Sequence, residues 1–121
     1  MKGFRNLIVW QKSHQLALAI YEVTKSFPSE EKFGLISQIR RACLSIPTNI
    51  AEDTGRKSEK ETIQFFSIAR GSANEVDYLI EFSKDLNLLD KSQNETLSEK
   101  IEEVKSMLFV LIKNKTLSLK T

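Results

Sequence analysis

The chain has one cysteine, Cys43, and one histidine, His14, so at most one thiol–imidazole pair is available for nucleophilic chemistry. Such a pair needs the imidazole within hydrogen-bond reach of the thiol, and a third group to orient it. Cys43 lies four residues after Ile39 and three before Ile46, on the apolar side of a helical repeat. A small core residue belongs there. His14 follows Trp10 by four residues and precedes Tyr21 by seven, which suits packing or an interface better than a base with no partner. Metal chemistry in a helical bundle calls for Glu-x-x-His pairs, and the residue three before His14 is Gln11. Glu95, Glu99, Glu102 and Glu103 fall off the apolar seam of their helix and make a solvated face. Gly55-Arg56-Lys57-Ser58 lacks the preceding glycine and the strand of a phosphate-binding loop. The sequence therefore implies no catalytic residue, no metal and no cofactor, and it points away from an enzyme.

The cations carry a different chemistry. Arg40 and Arg41 are adjacent, Arg56, Lys57 and Lys60 gather around a turn, and Arg70 lies further on. Guanidinium forks bind phosphate in a bidentate manner, and several cations on one face give salt-sensitive, sequence-independent affinity for nucleic acid. These six are the candidate nucleic-acid-binding residues. Glu52, Asp53, Glu59 and Glu61 are interleaved with them and can neutralise the cluster within a subunit or between subunits. The net charge of +2 names no partner by itself. Residues 1–60 hold ten Lys/Arg against six Asp/Glu, and residues 61–121 hold eight against ten, a mild asymmetry.

These side chains must be positioned by helices. Four Gly and two Pro in 121 residues are too few for a fold of short strands and tight turns. The chain is long enough to bury one core. A lone cysteine excludes an intramolecular disulfide and fits a reducing compartment. No stretch approaches the roughly 20 apolar residues of a membrane span, and the N-terminus leads into an amphipathic segment, so the expected location is the cytoplasm.

Apolar spacing predicts an all-α, antiparallel up-down-up-down four-helix bundle with helices over roughly residues 6–26, 30–54, 58–87 and 91–115. The first seam is Val9, Ser13, Leu16, Ile20, Val23 and Phe27, with Trp10, His14, Ala17 and Tyr21 in a neighbouring row. Ser29 is the expected cap of the second helix, whose seam is Ile36, Ile39, Cys43, Ile46 and Ile50. Because Ile46 and Ile50 stay in phase across Pro47, the helix is predicted to be kinked there but continuous. It should end near Asp53, with Gly55 in the left-handed cap conformation. Ser58 and Glu61 form a capping box for the third helix. Its rows are Phe66, Ala69, Ala73, Val76, Ile80 and Ser83, and beside them Phe65, Ile68, Ser72, Leu79, Phe82 and Leu86. The small residues Ala69, Gly71, Ser72 and Ala73 would admit a neighbouring helix closely. Either Asp90 or Ser92 caps the fourth helix, whose seam is Leu97, Ile101, Val104, Leu108 and Leu111, widened by Met107, Val110 and Ile112, with fraying expected beyond Lys113. Helices one and three carry more apolar rows than one bundle seam needs. Trp10, His14, Tyr21, Phe65, Leu79 and Phe82 are accordingly the candidate contacts of a homo-oligomer.

Several motifs recur together: Leu7-Ile-Val-Trp-Gln11, Phe27-Pro28, Phe33-Gly-Leu, Gln38-Ile-Arg-Arg-Ala, Ser45-Ile-Pro47, Asn49-Ile-Ala-Glu52, Gly55-Arg56-Lys-Ser58, Phe65-Phe66 and Ile68-Ala-Arg-Gly-Ser72. In this order, over about residues 4–112, they resemble the four-helix bundle proteins encoded by intervening sequences in bacterial 23S rRNA genes. Asp53 departs from that pattern, which has glycine after Ala-Glu. The resemblance implies a homopentamer without enzymatic activity. It also implies kinship with the accessory variability proteins of diversity-generating retroelements, basic pentamers that bind nucleic acid and a reverse transcriptase. The expected role is therefore a non-enzymatic, homo-oligomeric interaction module with RNA or other nucleic acid as ligand. The alternative is a structural or protein-binding oligomer, such as a reverse transcriptase accessory subunit, whose arginines form intersubunit ion pairs.

Overall fold

The computed structural model describes residues 3–55 and 58–120, so Arg56 and Lys57 lie outside the described residues. Four helices follow one another: α1 (Ile8–Thr24), α2 (Ser37–Glu52), α3 (Glu59–Asp85) and α4 (Lys91–Lys120). Each packs on the helix before and after it in sequence, and α1 closes against α4, which gives the up-and-down order of a four-helix bundle.

The inward rows are the predicted seams. Leu16 and Ile20 of α1, Ile39, Cys43, Ile46 and Ile50 of α2, Ala69, Ala73, Val76 and Ile80 of α3, and Leu97, Ile101, Val104 and Leu108 of α4 are all buried. Four hydroxyls share these rows, and each is satisfied by a carbonyl of its own helix. Ser13 donates to Trp10 O (3.0 Å), Thr24 to Ile20 O (2.7 Å), Thr62 to Ser58 O (3.4 Å) and Ser83 to Leu79 O (2.8 Å). Their burial therefore leaves no unmade bond. Between helices, Ser72 donates to Ser45 Oγ (2.8 Å), Lys105 pairs with Asp77 (2.7 Å) and Lys12 with Glu103 (3.5 Å).

The α2 helix runs through Pro47, which is itself buried, so the predicted continuity is observed. Its approach differs from the prediction. Ser29 is not a cap, since Pro28 takes the N-cap position and its carbonyl accepts from Glu31 N (2.9 Å). A 3-10 turn (Ser29–Glu31) and a π turn (Lys32–Ile36) then precede α2. Leu35 is the residue of this π turn that is buried, Ile36 is half-buried, and Phe33 is 90% exposed. Gly55 is not left-handed either, because the chain leaves α2 through a tighter 3-10 turn (Asp53–Gly55) that keeps Asp53 buried.

Ser58 Oγ accepts from Glu61 N (3.2 Å), as the capping box requires. The end of α3 is a Schellman arrangement around Asn87, which takes the left-handed conformation (φ 61°). Leu88 N donates to Ser83 O (2.9 Å) and Asn87 N to Lys84 O (2.9 Å). Of the two cap candidates for α4, Asp90 holds the position. Its Oδ1 accepts from Gln93 N (2.7 Å), while Gln93 Oε1 accepts from Asp90 N (3.0 Å). The expected fraying beyond Lys113 does not occur. Thr116 donates back to Ile112 O (2.8 Å) and Lys115 pairs with Glu59 at the start of α3 (3.1 Å), so α4 continues to Lys120.

Among the small residues of α3, Ala69 and Ala73 are buried. Gly71 instead faces outward, with nothing within 4 Å of where a Cβ would stand. The predicted close approach at Gly71 is therefore not to a helix of the same subunit. Gly71→Ala should stabilise the chain by up to about 1 kcal/mol, because glycine is that much worse in a helix interior. A rise in thermal midpoint of a few degrees checks this, and a fall would show that another molecule packs there.

Candidate functional site

The adjacent arginines part company. Arg40 turns towards the end of α1 and is half-buried. Its Nε donates to Thr24 Oγ1 (2.9 Å), its Nη2 to Tyr21 O (3.3 Å), and its guanidinium lies 4.5 Å from the centre of the Tyr21 ring. A cation at the carbonyl end of a helix also gains from the helix dipole. Arg40 is thus a clamp between α1 and α2, and its fork is occupied within the subunit.

Arg41, one residue on, is exposed, and among the described residues it makes no hydrogen bond or ion pair. It lines a groove of about 490 Å³ between α2, α3 and the π turn. Arg70 is carried to the α3–α4 side, where it lies 5.3 Å from the centre of the Phe109 ring beside Asn74, Glu102 and Lys105. Lys60 is exposed in the first turn of α3, about 15 Å from Arg70 along the axis at 1.5 Å per residue. The four described cations are therefore spread around the bundle rather than gathered on one face.

The candidate oligomer contacts also separate. Trp10 is half-buried in an aromatic ladder, 4.9 Å from Phe4 and stacked at 4.8 Å and 9° on the exposed His14. Tyr21 lies under Arg40, and Phe65 is half-buried. Leu79 is 4% exposed and belongs to the core of its own subunit, which corrects its assignment to a surface contact: its row turns inward at that level. Phe82 is exposed beside Tyr78, with ring centres 6.2 Å apart.

A further apolar surface feature was not among these residues. Leu7, Ile8, Met107, Val110 and Leu111 line a groove of about 480 Å³ between the start of α1 and the middle of α4. Ile8 and Val110 are each more than half exposed. The reading of Val110 as a residue that widens the seam of the fourth helix is corrected, because the structure turns it more than half out to solvent; Ile8 lies outside the first seam and is exposed too. Only the pairing of α1 with α4 brings these two overflows together.

Cys43 is fully buried, and its thiol donates to Arg40 O (3.2 Å). Burial pushes its pKa up to about 12, against smaller lowering by hydrogen bonds and Arg40. It is an inert core residue, far from the reactive thiolate a nucleophile must supply. Lys105 is held above its ordinary value chiefly by the Asp77 hydrogen bond. Among the described residues no three His, Cys, Asp or Glu side chains cluster as a metal site. No helix among them is long and apolar enough to cross a membrane.

The fold and its surfaces define a helical-bundle protein with grooves on its outer faces. The comparisons with known proteins give the family. The sequence pattern described as 23S rRNA-intervening sequence protein matches residues 5–110, and the chain belongs to that family. It is similar to a crystal structure of a protein of unknown function from the S23 ribosomal protein family of Bacteroides thetaiotaomicron. The two share 30% identity at a TM-score of 0.80, over 88% of this chain and 96% of that one. Among curated proteins none matches.

Two outcomes follow from the geometry. Arg40→Ala should cost about 1–3 kcal/mol by leaving Thr24 and the Tyr21 carbonyl short of a charged donor, whereas Arg41→Ala should stay within about 0.5 kcal/mol. Denaturant unfolding of the two variants distinguishes them. Because the folded Cys43 pKa lies above its unfolded value, its contribution to stability is complete below about pH 9 and declines towards about pH 12. Wild type should therefore lose more stability than Cys43→Ala across that alkaline window, and the native thiol should resist aromatic disulfide reagents at pH 8.

Proposed function

We propose that the protein is a non-enzymatic, self-assembling module whose α1–α4 groove seats a neighbouring copy of the chain, and whose assembled surface binds structured RNA. The observation that carries the assembly is the groove. Its walls are almost wholly aliphatic, and it displays Ile8 and Val110 at more than half exposure. A contiguous apolar surface of this kind marks an interaction site. Five subunits is the number the family resemblance implies. A ring would repeat Arg41, Lys60 and Arg70 in every subunit, together with Arg56 and Lys57 of the α2–α3 connection. Modest contacts to phosphate would then add by avidity. The family name refers to ribosomal RNA genes, which makes structured RNA the first ligand to test.

The fork of Arg40, occupied within its own subunit, takes that residue out of the set open to a phosphate; in a second reading the remaining arginines form ion pairs between subunits. The two readings separate in one series. Light scattering should show an oligomer for the wild-type chain and a monomer for the Ile8→Asp/Val110→Asp variant. A monomeric wild type at micromolar concentration defeats the assembly. Fluorescence anisotropy with labelled structured RNA should show binding that weakens steeply with salt. If no RNA binds at low ionic strength while the oligomer persists, the protein-only reading stands.

A further inference from the structure

We propose that the groove under the π turn is a stacking site for one unpaired base of RNA, with Phe33 as the platform and Arg41 as the contact to a flanking phosphate. This rests on the RNA reading above and narrows it from structured RNA in general to a single-stranded segment within it.

Phe33 is the starting point. An aromatic side chain of this size is usually at least half covered, yet Phe33 is 90% exposed. It stands on the π turn Lys32–Ile36, and π geometry is frequent at functional sites; the chain then enters α2 through a 3-10-type step in which Ser37 N donates to Gly34 O. The ring lines the α2–α3 groove with Gln38, Arg41, Ser45, Ser72 and Glu75, and the groove's volume of about 490 Å³ is the size of a small-molecule site. A second cation flanks the ring, since Lys32 Nζ lies 5.6 Å from its centre.

The chemistry of the walls selects the occupant. A neighbouring helix would bring aliphatic side chains, which belong in the α1–α4 groove. Here Gln38, Arg41, Ser45, Ser72 and Glu75 set polar groups among the apolar surface of Phe33 and Ala42, so an aliphatic side chain seated there would cover hydrogen-bonding groups without satisfying them. A nucleotide offers what the lining lacks: a flat π face for Phe33 and a phosphate for Arg41, whose fork has no partner among the described residues. Its base edge can meet Glu75, an acceptor, and Gln38, which is both donor and acceptor. Gln38 Nε2 already donates to Glu75 Oε2 (3.2 Å), so the acceptor is oriented before any ligand arrives. A duplex cannot use this site, because its bases are stacked on one another and a side chain reaches only their edges or the backbone. The site is therefore selective for single strands.

The test compares a labelled single-stranded RNA 12-mer with the duplex of the same sequence. Phe33→Ala should weaken the single strand about 5- to 150-fold, the usual range for one base–aromatic stack, and leave the duplex unchanged. Phe33→Trp should restore single-strand affinity, and Arg41→Gln should flatten the salt dependence by about 0.7 in slope. Because Phe33 is exposed, these changes leave the core intact, and circular dichroism confirms it. RNA binding that is indifferent to Phe33→Ala, or competed equally by duplex, overturns the stacking site alone. Loss of the oligomer on Phe33→Ala also overturns it, by assigning Phe33 to a subunit contact. Absence of any RNA binding by the wild type overturns both readings.

Discussion

Everything on the surface of this protein depends on four inward rows meeting at the bundle axis. Each row repeats at alternating steps of three and four residues, and an antiparallel bundle closes only when all four stay in phase for most of their length. The rows tolerate considerable insult. A proline stands in the buried face of α2, and serine or threonine interrupts the seams of α1 and α3. The phase survives because each hydroxyl returns its proton to a carbonyl of its own helix and because Ile46 and Ile50 flank Pro47 on the same side. With the inward rows committed, whatever apolar or cationic residues remain are delivered to the outside at fixed angles.

That delivery explains why Arg40 and Arg41 have different fates. Neighbours on a helix point about 100° apart, so a pair that looks like one basic feature in the sequence becomes two. One reaches back to close the end of α1, where it is met by a carbonyl, a threonine hydroxyl and a tyrosine face. The other faces outward into a groove. The same separation carries Arg70 away to α4, so the basic character of the chain is distributed rather than concentrated.

Much of the architecture was legible because it is written in local signals. The seams, the Ser58 cap, the small core cysteine and the continuity of α2 need only spacing and side-chain chemistry. The choice of Asp90 over Ser92 could have been read too, since glutamine three residues after Asp90 completes a reciprocal box. Other features were hidden. The π turn lies between α1 and α2, and no single residue announces it, although it carries the exposed Phe33. Leu79 read as surplus because a seam on paper has no width, whereas in the bundle the buried arc of α3 is broad enough to take it. The apolar groove depends on which helices are neighbours, and the overflow of α1 and that of α4 mean little until they lie side by side.

The connection between α3 and α4 carries a consequence for how the molecule opens. Five residues complete one helix and begin the next with hydrogen bonds at both ends, around Asn87 on one side and through the Asp90–Gln93 exchange on the other. This makes the second half of the chain a helical hairpin whose contacts are local at the turn, and local contacts form early. The α1–α4 contact is the least extensive between neighbouring helices, and it joins the two ends of the chain. Amide exchange would accordingly progress from that junction inward. A companion subunit seated in the Ile8–Val110 groove would span the very seam along which a lone bundle comes apart.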